Sequence, residues 1–449
     1  MKKIISILLI LAVVLSCSIA AADIGNAKKI SGGENRDIKV NKAGDNPWPT
    51  DGTSPTTGRD LAAVYQQYIA DDPDSYSGMA ETGIYSPIMV QHCGFNGGVD
   101  IGAPFYGASA DIYYEQVKAQ RGYTRFSMIY NDVLPPYAGA SRSIRVGHLF
   151  VRQEWNAPFL YAGKQEQTFS SKWNTDVNYM RTKLGIPTSY SDDIPMYKRV
   201  MFDALDGGKP WLAYKYRYAA YGRTYNLVWN LAAMGDQLLA GRHYDTEDNA
   251  FNRTFNHTLK FGDMAVEGDP AETVYVIFES GTAVTSDSEG TTYFNSMYSY
   301  DPDENVYYRY MISNMANPEL NPVLFREQKV IHATSEVVEG SPTKNGYFLY
   351  GETVPGDAIT FANVIVQFID MEFPNGEAPY AILEGRGNAD YFMGGKHYAG
   401  VWERESLNNR TIFYGEDGNE ISLQPGRTII VLMDYKTTFG DKHREVKYE

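Results

Sequence analysis

The sequence predicts an α+β protein in which an amino-terminal α/β layered domain is followed by a carboxy-terminal, mainly antiparallel β domain. Two observations carry this prediction. Strand-like and helix-like segments alternate over residues 76–245, as is typical of a layered α/β domain. Over residues 246–435 short apolar runs recur, separated by turn sequences such as FPNG and GEDGNE. We therefore predict two domains with these bounds and a tail at 436–449.

The first 22 residues predict export. Lys2 and Lys3 precede the apolar run Ile4–Leu15, which is too short to span a bilayer. Ala20–Ala22 then offers a small-residue cleavage site. A second interpretation is a lipoprotein signal, with cleavage before Cys17 and lipid on that cysteine, although the preceding Val-Leu-Ser fits only in part. Both interpretations place the chain outside the cytoplasm, secreted or anchored to the outer face of the cytoplasmic membrane.

The composition excludes several classes of partner. Lys and Arg number 40 against 55 Asp and Glu, a formal net charge of -15, and loss of residues 1–22, with two lysines and no acids, makes it -17. A nucleic-acid-binding protein needs a basic face, so no nucleic-acid partner is predicted. The same bulk charge disfavours anionic lipid, which leaves a lipid anchor as the predicted membrane contact. With two cysteines, one of them within residues 1–22, no intramolecular disulfide is predicted.

The elements follow from local patterns. Residues 23–75 are rich in Gly, Asn, Pro, Ser and Thr, which predicts a flexible tether with a short helix at Arg59–Ala70. In the first domain, apolar spacing predicts strands Tyr85–Val90, Thr124–Tyr130 and Phe159–Ala162 and helices Ser141–Trp155, Trp173–Leu184 and Thr224–Leu239. In the second domain the predicted strands are Thr273–Phe278, Thr292–Tyr300, Val306–Met311, Gly346–Tyr350, Ala362–Ile369, Tyr380–Leu383, Asp390–Phe392, Tyr398–Glu403, Thr411–Tyr414, Glu420–Leu423 and Arg427–Met433.

Charged residues interrupt the apolar, aromatic-rich stretch 110–145. Asp111 and Glu115 would project from one face of a strand. Arg142 and Arg145 would lie at i and i+3 in the first turns of a helix, whose amino terminus attracts anions. With Arg125, these residues predict an anion or polar-glycan pocket with Glu115 as a general acid or base. The alternative is a buried network of Glu–Arg pairs that is purely structural.

Other motifs are weaker indications of a catalytic, metal or cofactor site. A thiol beside an imidazole, His92-Cys93, suggests a cysteine nucleophile, but strand neighbours point to opposite faces. The S-x-x-K match at 341–344 lacks the companion elements of penicillin-recognising enzymes. The histidines are not at zinc spacing, and no Gly-rich phosphate loop opens a helix. No metal and no cofactor are therefore predicted.

Taken in order, several segments resemble the YerB-like lipoprotein family of bacterial envelopes, which carries a domain of unknown function numbered 3048. The resemblance implies two linked domains and assigns the family's recognisable polar positions to Asp111, Glu115, Arg125, Arg142 and Arg145. It also assigns Asn226 to a His-Asn pair of the family, and this chain departs from the pattern with Tyr225 and Tyr161 where His is usual. The matching segments are ADIYYEQ, YTRFSMIY, GASRSIR, NAPFLYAG, RTYNLVW, YSYDPDENVYYR, ANVIVQF, GRGNADYFMGGKHYAGVW and ISLQPGRTII.

Two functional hypotheses follow. In the first, the chain binds peptidoglycan, another cell-wall component or a wall-synthesis protein through a cleft formed by Asp111, Glu115, the three arginines and Asn226. In the second, it is a hydrolase or lyase of wall glycan or peptide with Glu115 as acid–base. Geometry discriminates them, because a catalytic Glu115 must line an open pocket, whereas a structural one is buried and paired with arginine.

Overall fold

The structure is a computed structural model. The predicted signal with Cys17, the residue Asn226 and the tetrad 341–344 lie outside the residues that it describes. Those residues are 27–44, 49, 51–94, 103–120, 122–168, 172–186, 200–206, 214–218, 227–239, 259–263, 267–279, 295–312, 322–338, 346–374, 378–436 and 443–449.

Strands dominate the described part of the chain. In chain order they are β1 Lys28–Ile30, β2 Ile88–Cys93, β3 Ile112–Val117, β4 Thr124–Tyr130, β5 Ala138–Gly139, β6 Phe159–Tyr161, β7 Met201–Asp203, β8 Lys215–Tyr218, β9 Leu227–Trp229, β10 Asp269–Pro270, β11 Thr273–Ile277, β12 Asn295–Asp301, β13 Val306–Ile312, β14 Val323–Leu324, β15 Arg326–Val338, β16 Gly346–Ala358, β17 Thr360–Phe361, β18 Asn363–Glu372, β19 Tyr380–Ile382, β20 Gly385–Met393, β21 Lys396–Arg404, β22 Ile412–Gly415, β23 Thr428–Asp434 and β24 Glu445–Tyr448.

The helices are short. Asp60 and Asp176 cap two of them, because each carboxylate accepts a hydrogen bond from a backbone N–H of the first turn. Within the described residues, no helix is long and apolar enough to cross a membrane. The helices are α1 Leu61–Tyr68, α2 Met79–Thr82, α3 Val146–Trp155, α4 Val177–Lys183 and α5 Leu231–Leu239.

The described strands form three sheets. The largest has the order β10-β21-β20-β18-β23-β3-β4-β2-β6-β7, with β19 beside β18 and β22 beside β21. The second has the order β1-β24-β11-β12-β13-β14, with β17 beside β13. The third, β15-β16-β8-β9-β5, contains the long β15–β16 hairpin.

Strands from both predicted domains meet in the largest sheet. β23 of the carboxy-terminal half lies parallel to β3, with Val431 opposite Glu115, and β18 lies parallel to β23. All residues of β3, β4 and β23 are buried, as expected for interior strands covered on both faces. The carboxy-terminal half is a β domain, as predicted. The layered α/β prediction for the first half is only partly met, since strands outweigh its few helices.

Three predicted helices begin at least four residues later than expected, and one of them, predicted from Trp173, starts at Val177. Arg145, with φ -124° and ψ 169°, is the extended residue before α3, so that helix starts at Val146 and not at Ser141. Ser141 instead forms a β-bridge with His92. Within the segment predicted as a helix from Thr224, β9 precedes α5. Local apolar spacing favoured helix there, but pairing with neighbouring strands satisfies the backbone groups better.

The described residues of the predicted tether and tail are instead parts of the fold. β1 pairs with β24, which also pairs with β11, so residues near both ends of the described chain extend one sheet. Ser54, Thr56 and Thr57 are buried against the core. Their hydroxyls find acceptors in the interior, so the polar composition of this segment does not reflect exposure to solvent.

Candidate functional site

The register of three adjacent strands separates the predicted site residues into two faces. Glu115 lies opposite Phe126, which in turn lies opposite His92. Gln116 lies opposite Arg125, which lies opposite Cys93. Directly opposed residues project from the same face, and successive residues alternate. Glu115 and Arg125 therefore point to opposite sides of the sheet, and the single cleft expected around both does not exist.

Glu115 belongs to a buried ion pair. Its carboxylate accepts hydrogen bonds from Thr124 Oγ1 at 2.8 Å and from Arg309 Nη2 at 3.3 Å. The Arg309 guanidinium lies between the rings of Phe126 and Phe325, with Cζ 4.9 and 4.5 Å from the two centroids. Glu115 is 1% and Arg309 2% exposed. Burial raises the pKa of Glu115 above its ordinary value, although Arg309 opposes that shift.

Asp111 is the acceptor of a second buried network, at the start of β3. Its Oδ2 accepts hydrogen bonds from Thr56 Oγ1 at 2.9 Å and from the backbone N–H groups of Asn131 and Asp132 at 2.9 and 3.0 Å. Asp132 accepts from Ser54 and Thr57, both at 2.6 Å. This network fastens residues 54–57 to the end of β4. Burial raises the pKa of both carboxyls, and the Asp132 charge raises that of Asp111 further.

These two carboxyls make stability pH-dependent. The folded-state pKa of each carboxyl lies above its unfolded value of about 3.9. The protonated carboxyls therefore stabilise the fold fully below about pH 3.9, and this stabilisation is lost as the pH rises through the folded-state pKa. Asp132→Asn removes the charge repulsion between the two carboxyls. We therefore expect its free energy of unfolding to fall between pH 4 and pH 8 by at least about 1.4 kcal/mol less than that of wild type. Urea denaturation at several pH values measures this, with exposed Asp417→Asn as the control. Parallel pH profiles for wild type and Asp132→Asn would contradict it.

Four cationic side chains, Lys118, Arg125, Arg142 and Arg145, gather on the opposite side of the sheet and are called the cationic cluster below. Lys118 lies two residues after Gln116, opposite Tyr123, whose carbonyl accepts its N–H at 2.8 Å. Lys118 therefore shares a face with Arg125. The Arg142 N–H donates to Gln91 O at 2.9 Å, which holds the segment before α3 against β2.

The four positive charges act on one another. Burial, with Arg125, Arg145 and Arg142, lowers the pKa of Lys118 to about 8. Burial, with Arg145 and Arg125, holds the pKa of His148 well below its ordinary value. His148 is therefore neutral at physiological pH. Its Nδ1 accepts the Arg145 N–H at 2.7 Å, which fixes the start of α3.

Polar side chains of β2, β3 and β4 form the floor beneath the cluster. Gln91 Nε2 donates to Phe126 O at 2.9 Å, and Ser127 Oγ donates to Gln91 Oε1 at 3.0 Å. The first turn of α3 packs on the same floor, because a Cβ added to Gly147 would lie 2.8 Å from Gln116 Oε1. Helix, strands and arginines thus converge on one region.

His92 and Cys93 do not form a catalytic dyad. They are consecutive residues of β2 and project from opposite faces, as expected from the sequence. Burial raises the pKa of the Cys93 thiol, and burial with Arg125 and Arg142 lowers the pKa of His92 to about 3. A neutral thiol without an adjacent base is a poor nucleophile.

The structure therefore brings Arg125, Arg142 and Arg145 together and assigns Asp111 and Glu115 to separate interior networks. The sequence reasoning missed Lys118, which alternation along β3 places beside Arg125. It also missed Arg309, although Tyr307, Arg309 and Met311 form the buried alternate positions of β13. Among the described residues, no group of His, Cys, Asp and Glu is placed to hold a metal ion.

Fold and site together define a β-rich protein in which strands from both halves of the chain share one sheet. Its predicted site residues divide between interior networks and the cationic cluster. The amino-terminal domain of the protein of unknown function DUF3048 matches residues 101–197, and the carboxy-terminal domain matches residues 348–430. The chain thus contains both the amino-terminal and the carboxy-terminal DUF3048 domains, which confirms the resemblance.

The fold has a counterpart among solved structures. The crystal structure of YerB protein from Bacillus subtilis is similar with a TM-score of 0.50 and 15% identity, over 85% of this chain and 96% of that chain. A comparison with curated proteins gives no match. At this identity the likeness describes the architecture alone.

Proposed function

We propose that this protein is an exported, envelope-associated binding protein that holds an anionic cell-wall component, or a wall-synthesis partner presenting one, through the cationic cluster. The observation that carries the proposal is the convergence of Lys118, Arg125, Arg142 and Arg145 in a chain with a net charge of -15. A group of cationic side chains in an otherwise acidic chain favours an anionic ligand over a cationic one. Arginine forks also suit carboxylate and phosphate oxygens, both of which occur in cell-wall polymers.

Export is part of the same proposal. The Lys2-Lys3 region, the apolar run and the small-residue segment support a cleaved signal, and Cys17 supports lipidation as the alternative. Detection of the uncleaved chain in the cytoplasmic fraction of its host would contradict this part.

The hydrolase or lyase alternative has little support. It requires Glu115 to reach a glycan or peptide, whereas Glu115 is 1% exposed and bound by Thr124 and Arg309. A general acid or base must lie within hydrogen-bond reach of its substrate. Binding is therefore the function that the geometry supports better.

Retention on isolated envelope fractions tests the binding proposal. We expect the protein to cosediment with sacculi or membrane extracts, and Arg142→Ala or Arg145→Ala to weaken retention at least about tenfold, because charged hydrogen bonds are each worth about 1.5–3 kcal/mol. Both arginines are half-buried, so these variants leave the core intact. Arg326→Ala, which removes an exposed arginine of β15, is the control. Equal retention of all variants, or none of wild type, would rule the proposal out.

A further inference from the structure

We propose that the protein binds a neutral saccharide on one face of the third sheet, where a row of tyrosine rings meets a small polar pocket. The site shares no residue with the cationic cluster, so the inference goes beyond the proposed function. The five rings, called the tyrosine row below, are those of Tyr76, Tyr106, Tyr137, Tyr216 and Tyr347.

The rings of the tyrosine row follow one another in contact. Tyr347 of β16 lies opposite Tyr216 of β8, and their ring centroids are 5.9 Å apart. The Tyr137 ring, just before β5, is 6.0 Å from that of Tyr216 and 6.1 Å from that of Tyr106. Tyr106 is in turn 6.4 Å from Tyr76. Successive rings are inclined at 54–86°, so they do not cover one another as parallel stacked rings would. Since all but Tyr106 are only partly buried, the row offers ring surface to a ligand.

A pocket of about 260 Å³ lies beside the row, and Tyr76 and Tyr137 belong to both. Sites for drug-sized ligands occupy about 300–1,000 Å³, so this pocket suits a group the size of one sugar ring. Its other lining residues include the carboxylates of Asp74, Glu81 and Asp236. Within the described part of the chain, none of these three carboxylates forms an ion pair, so their oxygens are available as acceptors.

The pocket lining favours a neutral ligand rich in hydroxyl groups. No lysine or arginine is among the described residues that line it, so an anion would meet carboxylates without a balancing charge. Carboxylate and amide oxygens accept hydrogen bonds from hydroxyl groups, and the negative face of a tyrosine ring attracts the C–H groups of a sugar ring. A saccharide presents both kinds of group together.

The polar groups of the pocket are held in place by α5 and its cap. Asn230 precedes α5, its Oδ1 accepts the Ala233 N–H at 3.1 Å, and its side chain also hydrogen-bonds Tyr216. Asp236, within α5, accepts a hydrogen bond from Ser77 Oγ at 3.1 Å. Acceptors fixed by a helix lose little freedom when a ligand binds, which favours recognition of a particular sugar ring.

An organic cation is the rival ligand, because carboxylates and tyrosine rings both attract ammonium groups. A small cation would occupy the pocket alone. The tyrosine row, however, continues beyond the pocket through Tyr216 to Tyr347 on β16. A chain of sugars uses the whole length of the row, with one ring in the pocket and its neighbours on the tyrosines. The continuity of the row therefore favours the saccharide.

Calorimetric titration with two neutral tetrasaccharides, maltotetraose and tetra-N-acetylchitotetraose, tests the inference, and tetramethylammonium chloride provides the cation arm. We expect wild type to bind at least one tetrasaccharide about tenfold more tightly than the cation. Tyr76→Ala and Tyr347→Ala should each weaken that binding at least about fivefold, because each removes a ring contact, whereas Tyr76→Phe keeps the ring and the affinity. Tyr350→Ala is the control, since it removes an exposed tyrosine from the opposite face of β16.

Thermal melts establish that each variant is folded, and Tyr347→Ala carries the test if Tyr76→Ala is not. Failure of both tetrasaccharides to bind wild type would overturn the inference. So would unchanged affinity in the folded alanine variants of the row, binding of the cation as tight as that of the sugars, or an equal loss in Tyr350→Ala. The probes carry neither phosphate nor carboxylate, so the outcome does not depend on the cationic cluster.

Discussion

Replacing Arg309 by alanine is expected to lower the free energy of unfolding by about 3–5 kcal/mol. The substitution leaves Glu115 ionised or forces it to take up a proton, in an interior where it is 1% exposed. It also empties the space between Phe126 and Phe325, so packing is lost with the charge. Urea denaturation with tryptophan fluorescence measures the loss.

A double variant separates the charge from the packing. Glu115→Gln with Arg309→Met keeps most of the buried volume and removes both charges, so it should lose less free energy than the two single variants together. Additive losses would show that Glu115 and Arg309 do not interact as a pair. Envelope retention of the folded double variant should equal that of wild type, because Glu115 lies on the face opposite the cationic cluster. Weaker envelope retention of the folded double variant than of wild type would instead indicate that Glu115 takes part in binding.

Arg36→Ala is expected to release the amino-terminal strand segment and cost about 2–4 kcal/mol. Arg36 Nη2 donates to both oxygens of Asp390 at 2.9 Å, and Nη1 donates to the carbonyls of Ala389 and Gly400 at 2.7 and 2.8 Å. The Asp390 side chain is fully buried and also contacts His397 Nε2 at 2.6 Å. Without the Arg36 guanidinium, the buried Asp390 carboxylate keeps, among these contacts, His397 as its one side-chain partner.

Hydrogen exchange measures the release directly. Amides of residues 27–44 should exchange at least tenfold faster in Arg36→Ala than in wild type, while those of β3 and β23 keep their protection. Lys39→Ala, which alters an exposed side chain of the same segment, is the control and should behave as wild type. Unchanged exchange in Arg36→Ala would mean that the other contacts of the segment, which include β1–β24 pairing and the hydrogen bonds of Asn388 to its backbone, hold it without the guanidinium.

The internal ion pairs and the cationic cluster serve different purposes. Glu115–Arg309, together with the Asp111 network, connects segments that are far apart in sequence, as Arg309 and Glu115 are 194 residues apart. The cluster instead brings charge of one sign together from neighbouring segments, and the pKa of Lys118 is lowered by burial and, to a smaller extent, by the three arginines. Interior pairing is a property of the scaffold, whereas concentrated like charge is typical of an anion-binding site.

Local patterns were sufficient for much of the architecture. Period-two alternation and aromatic content placed β4 at Thr124–Tyr130, the bounds that the structure has, and recurring turn sequences placed a β domain in the carboxy-terminal half. The ordered motifs indicated the family. Three arginines in apolar sequence marked the cluster, because charges in such sequence must be paired or used.

What only the tertiary structure decided is which charges meet. Alternation tells which residues of one strand share a face, but not which distant strand covers that face. The pairing of β23 with β3, and the packing of β13 over Phe126, gave Glu115 its partner and removed it from the arginines. Likewise, the strand segment at residues 28–30 is ordered by pairing with β24 at the other end of the chain. The sequence alone determined a β-rich protein with DUF3048 motifs and with charged residues in apolar segments. Long-range strand pairing decided which of these residues form interior networks and which belong to the cationic cluster.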